Sequence, residues 1–283
     1  MNTPPPESSG STPAPAPTRA AAPSPSYLGL HHPHHDDDIR LHSPALRQSP
    51  PLDERQHECP QGHEPPLALM LRTVDFAAYK HRCQRRKDLD QTPYINHTIA
   101  VAELLSSTGV TDIRVLQAAV LHDTVEDTHT TIDEVIRVFG PEVAAIVEEC
   151  TDDTTLSGLE RKAEQLRTAP LKSKEAQQVK LADKLHNLES ISRSPPVGWT
   201  VRRVQAYFVW AKQVTDICAP SHPPLAERLQ RLYETAHTRV NGEYFPCHPD
   251  VCGPLTDEEK KRVDPRFALC AAGDKPCPSP IFF

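Results

Sequence analysis

The chain has 283 residues, 30 of them proline, roughly twice the usual share of about 5%, so its length overstates the mass that can fold. A formal charge of −7 excludes a general nucleic-acid binder, which needs a basic excess, and no apolar run nears the roughly 18 residues that span a bilayer. Eight cysteines without framework spacing, and no signal-peptide pattern at the N-terminus, point to a soluble protein of the reducing cytoplasm.

Residues 1–66 are predicted to be a disordered Pro/Ser/His-rich segment, because fifteen prolines and few apolar residues cannot offset the entropy of ordering. Within it, His31-His32-Pro33-His34-His35-Asp36-Asp37-Asp38 reads as a solvated polar tract. Residues 67–240 are the folded domain: they hold eight prolines, and 22 Lys+Arg against 23 Asp+Glu leave a charge of −1. Leu67, Met70, Leu71, Val74, Ala77 and Ala78 recur at steps of three and four, one apolar stripe of a first helix. Ile99, Val101, Ala102, Leu104 and Leu105 build a second, ending near Gly109, and Asp112 starts a third that runs on past Leu121. Thr131-Ile132-Asp133-Glu134 is a capping box for a fourth, with Val135, Ile136 and Phe139 inward. Gly140-Pro141 closes that helix and opens the next. Helices over 156–166, 175–191, 200–217 and 224–240 complete an all-α domain with no alternating strand pattern. Residues 241–283 are expected to be mostly unstructured tail, with one short helix suggested at Thr256-Asp257-Glu258-Glu259. Cys247-x4-Cys252 and Cys270-x6-Cys277 do not match zinc-ribbon spacing and read as free thiols.

The densest polar cluster is His122-Asp123 with Glu126-Asp127, a helix end that presents one imidazole and three carboxylates to a single pocket. Crowded carboxylates repel unless a cation or a shared proton offsets them, so a bound divalent metal is the simplest remedy. His97, at the start of the second helix, and Asp183, between apolar residues of its own helix, offer matching ligands. Two imidazoles and two carboxylates leave open coordination positions, a mixed N/O set that suits Mn²⁺, Fe²⁺ or Zn²⁺ better than Ca²⁺.

The order His97, His122-Asp123, Asp183 resembles the metal-ligand pattern of the HD-domain phosphohydrolases. The pairing of His122-Asp123-Thr124-Val125-Glu126-Asp127-Thr128 with Leu181-Ala182-Asp183-Lys184-Leu185-His186-Asn187-Leu188 is more particular. It resembles the hydrolase domain of the RelA/SpoT family, nearest its stand-alone metazoan members. Arg85-Arg86-Lys87-Asp88, Thr92-Pro93-Tyr94-Ile95-Asn96-His97 and the stretch from Trp199 to Trp210 extend the likeness over roughly 69–240. It implies an HD-domain helical bundle with Mn²⁺ as the usual metal, and hydrolysis of the 3′-pyrophosphate of guanosine 3′,5′-bis(diphosphate), ppGpp. It further implies His97, His122, Asp123 and Asp183 as ligands, and Glu126 and Asp127 as the pair that orients or deprotonates the attacking water. Arg86 and Lys87 would offset phosphate charge, Tyr94 would stack on or border the guanine, and Asn187 and Tyr207 would line the nucleotide pocket.

Two rival functions use the same residues: removal of the 2′-phosphate of NADPH, and a nucleotide-sensing module without turnover, against which an intact ligand set argues. The expected partner is a small purine nucleotide, with neither nucleic acid nor membrane; no oligomeric state follows. Thr98 stands where the family usually has proline, a change tolerated at a helix start. His129 and His186 read as surface histidines, Trp199 and Trp210 as packing, and Arg85 equally as a phosphate contact or a solvated neighbour of Arg86. No nucleotidyl-transfer half is expected after Val240, and a chain cut to about 66–242 is expected to keep activity.

Overall fold

A computed structural model describes residues 64–240 and 242–255; the His/Asp tract and the helix suggested at Thr256 lie outside them. Ten α-helices occur among the described residues: α1 Pro66–Lys80, α2 Ile95–Ser107, α3 Ile113–Leu121, α4 Thr124–Asp127, α5 Ile132–Phe139, α6 Pro141–Cys150, α7 Gly158–Thr168, α8 Lys174–Arg193, α9 Val201–Cys218 and α10 Pro223–Thr235. Five of the ten begin where a side chain satisfies an orphan N–H group of the first turn. Asp112 accepts from the Arg114 N–H, Thr131 from Glu134, Ser173 from Ala176 and Thr200 from Arg203. Ser157 and Glu160 make a reciprocal capping box at α7. At α5 only half of the predicted box forms, because the Glu134 carboxylate turns instead to Lys80 Nζ on α1, at 2.8 and 2.9 Å.

The core centres on α8, which packs against α2, α3, α6, α9 and α10. Its Val179, Leu181, Ala182, Leu185, Leu188 and Ile191 are buried, and so are Lys180, Asp183, Lys184 and Asn187. A helix buried on its polar face as well as its apolar one must compensate charge inside the protein.

Three expectations change. The third helix does not run through the polar cluster: α3 stops at Leu121, and α4 is a separate turn beginning after Asp123. On α5 Val138 is buried, whereas Ile136 is 41% exposed. The last helix ends at Thr235, and His237–Val240 pairs antiparallel with Glu243–Pro246 as a hairpin, β1 and β2. The hairpin returns chain to the core: the Cys247 N–H donates to the Ala236 carbonyl at 2.8 Å, Gln205 Nε2 donates to the Pro246 carbonyl at 3.0 Å, and the Cys247 side chain is fully buried. Past Val240, in the stretch expected to be mostly unstructured, the described residues therefore include the β2 strand and the buried Cys247.

A chain ending at residue 242 loses β2 and Cys247, a loss of about 2 kcal/mol or more for a buried side chain and its neighbours. Its Tm should fall by roughly 5 °C relative to a chain ending at residue 255. Thermal unfolding of the two truncations checks this, and equal midpoints would show that the hairpin adds nothing.

Candidate metal centre and nucleotide pocket

His97 sits in the first turn of α2, His122 and Asp123 in the break between α3 and α4, and Asp183 midway along α8. The break turns both residues toward one point. His122 Nδ1 lies 2.8 Å from the Ala119 carbonyl, so that nitrogen carries a proton and, in the neutral ring, Nε2 is left with a lone pair. His122 Nε2 lies 3.0 Å from Asp123 Oδ2 and 3.7 Å from Asp183 Oδ1. His97 Nε2 lies 3.6 and 3.3 Å from the same two oxygens. His97, His122 and Asp123 offer ligand atoms all within 4.8 Å of one another.

Both Nε2 atoms are buried and have no hydrogen-bond partner. Such orphaned acceptors facing carboxylate oxygens fit a divalent cation, which would satisfy all four groups at once. Without one, the charges lean on each other. Burial opposes ionisation of Asp123, yet His122 and His97 hold its carboxyl well below the usual range. At Asp183 burial is likewise outweighed, by Lys184 and the two imidazoles. Burial disfavours a charged His122, but Asp123 and Asp183 lift its pKa well above the ordinary value.

Neighbouring side chains fix the carboxylates. Tyr94 donates its hydroxyl to Asp123 Oδ2 at 2.6 Å, and Asn187 Nδ2 donates to Asp183 Oδ1 at 2.6 Å. Lys184 Nζ lies 3.3 Å from Asp183 Oδ2. Glu126 Oε2 accepts the Asp152 N–H at 3.1 Å, and Asp127 Oδ2 accepts from Gln84 Nε2 at 2.8 Å. Gln84 is braced in turn by His81 Nδ1 at 2.6 Å.

One pocket gathers Tyr94, Asp123, Glu126, Asp127, Asp183, Asn187 and Tyr207. Arg86 stands behind this wall: it is buried, its Nη2 donates to Asn187 Oδ1 at 2.9 Å, and its Nη1 is buried without a hydrogen-bond partner. Lys87 is not among the residues that line the pocket; its carbonyl accepts the Val197 N–H at 2.9 Å. Arg85 turns away, donating to the carbonyls of Arg82 and Gln84.

A family profile described as HD domain matches residues 73–212. Proteins named guanosine-3′,5′-bis(diphosphate) 3′-pyrophosphohydrolase MESH1 from Mus musculus and Homo sapiens are each 55% identical to the chain over 168 residues, 59% of it and 94% of the relative. The chain belongs to the MESH1 family. The Drosophila melanogaster protein of the same name is 44% identical over 169 residues. A solved structure described as "A metazoan ortholog of SpoT hydrolyzes ppGpp and plays a role in starvation responses" is 44% identical, with a TM-score of 0.58. The superposition covers 60% of this chain and 96% of that one.

In this MESH1-family pocket several residues escape the sequence reading. Arg161, Lys162, Lys180 and Lys184 form a cationic wall, and the Lys184 ammonium lies 4.6 Å from the centroid of the Trp210 ring, itself pocket-lining rather than packing alone. Lys180 and Lys184 sit amid the apolar residues of α8, where their helical phase is the sequence signal that marks them as buried. His186 is not a free surface histidine: its Nδ1 lies 2.8 Å from His97 Nδ1. Burial, then His97, Arg86 and Arg193, lower its pKa to about 2. His129 is exposed, as expected.

A divalent cation at a hundredfold its dissociation constant should stabilise the fold by about 2.7 kcal/mol. Thermal unfolding with and without Mn²⁺ checks this, with His122→Ala abolishing the rise; an equal rise in the variant would put the cation elsewhere.

Proposed function

We propose that this protein hydrolyses the 3′-pyrophosphate of ppGpp to give GDP and pyrophosphate, at a centre of His97, His122, Asp123 and Asp183 that takes Mn²⁺, with Zn²⁺ or Fe²⁺ as the other fits to its donors. The observation that carries the reading is the convergence of two unpartnered imidazole nitrogens on two carboxylates, in a chain 55% identical to proteins bearing that activity in their name. The folded unit is read as running from about Leu67 to Val240 with the β2 strand and Cys247 packed onto it, and its partner as a small guanine nucleotide in the cytoplasm.

The bound cation supplies Lewis acidity and lowers the pKa of water. Glu126 and Asp127, on the same pocket wall as Asp123, accept the proton of the attacking water and return one to the 3′-oxygen as it leaves. Each is steadied by one neutral donor, the Asp152 N–H and Gln84. Arg86, with a buried guanidinium nitrogen to spare, and the wall of Arg161, Lys162, Lys180 and Lys184 offset the charge of the diphosphates. Tyr94 and Tyr207 border the base, and Asn187 links Arg86 to Asp183. Lys87 contributes charge from the loop beside Arg86.

Purified protein loaded with Mn²⁺ should release GDP and pyrophosphate from ppGpp, and Glu126→Gln should lower kcat by about 10²–10⁴-fold. Product analysis, with NADPH as a parallel substrate, checks it. No pyrophosphate above a His122→Ala control would refute the reading, and a higher kcat/KM on NADPH would reassign the substrate.

A further inference from the structure

We infer that His186 is a positioning residue for the centre: it accepts the Nδ1–H of His97 and so holds the proton off the nitrogen that faces the metal. The inference rests on reading the site as a metal centre.

A neutral imidazole has one N–H and one lone pair. The nitrogen of His97 that faces Asp123 and Asp183 is Nε2, at 3.6 and 3.3 Å, and it is buried without a hydrogen-bond partner. To serve as a ligand Nε2 must be bare, so the proton belongs on Nδ1. That atom lies 2.8 Å from His186 Nδ1. His186 Nδ1 must then be the acceptor, with its own proton on Nε2.

The two imidazoles of the site are thus oriented by different devices. His122 faces a backbone carbonyl, Ala119 O at 2.8 Å, which can only accept. His97 faces a side chain that could take either role, one turn along α8 from Asp183. So α8 supplies both one ligand and the group that orients another, borne by α2. The rings of His97 and His186 lie 4.8 Å apart and tilted by 44°, so a packing role must be separated from an acceptor role.

His186→Phe keeps an aromatic ring and removes the acceptor. His186→Asn puts Oδ1, an acceptor, where Nδ1 was. Mn²⁺ affinity of the full chain, measured by chelator competition without nucleotide, should weaken about 10–100-fold in His186→Phe and recover to within a few-fold of wild type in His186→Asn. Wild-type affinity in His186→Phe, or equal weakness in both variants, would overturn the inference. Failure of wild type itself to bind a cation would overturn the metal-centre reading beneath it. Independently of either variant, ¹⁵N-histidine spectra of the Zn²⁺-loaded wild-type chain should show the proton of His97 on Nδ1 and that of His186 on Nε2. The opposite pair of tautomers would overturn the inference.

Discussion

Charge buried along α8 is the constraint on which the rest of the molecule depends. Lys180, Asp183, Lys184 and Asn187 are each less than a tenth exposed, and a buried charge without a partner costs several kcal/mol. Each has compensation from another part of the chain or from its neighbour on the helix. Asp183 has Lys184, Asn187 and the two imidazoles. For Lys180 burial opposes the charge, but Asp152 and Asp183 hold its ammonium protonated. Asn187 spans from Asp183 to Arg86, so the loop after α1 is tied to the same stripe.

The break between α3 and α4 is the local device that makes this stripe useful. A continuous helix would send His122 and Asp123 along one turn and carry Glu126 and Asp127 away in the same phase. Ending α3 at Leu121 lets the Ala119 carbonyl accept a hydrogen bond from His122 Nδ1, which turns Nε2 toward Asp123 and Asp183. The restarted turn then sets Glu126 and Asp127 on the wall of the pocket. The result is a pocket lined by both charges, Asp123, Glu126, Asp127 and Asp183 together with Arg161, Lys162, Lys180 and Lys184, with Lys184 3.3 Å from Asp183. The cations of such a lining suit the anionic groups of a ligand.

Much of the fold is legible in the chain because its signals are local. Asp112, Thr131 and Thr200 start helices as their side chains require, and Gly140 at φ 89° ends α5 where a residue with a side chain would be strained. Less legible is what depends on a distant partner. Glu134 has the right spacing for a capping box, but Lys80 on another helix is the stronger attraction for a carboxylate. The residues of β1 and β2 are too few to show an alternation of their own, and they become strands by pairing with each other beside Cys247.

The site divides the same way. Its ligand types and their order along the chain, from His97 through His122-Asp123 to Asp183, are properties of the sequence by itself, as are the apolar phases that bury α8. Which nitrogen of a histidine faces the carboxylates depends on what lies across from the other nitrogen, a local matter for His122 and a tertiary one for His97. For His122 that is a carbonyl three residues back, and for His97 it is His186, 89 residues away along the chain. The same holds for the cationic wall: Lys180 and Lys184 lie near Arg161 and Lys162 only because α7 and α8 meet the pocket together. Spacing along a chain chooses which groups are available, and packing across it chooses which of their atoms meet.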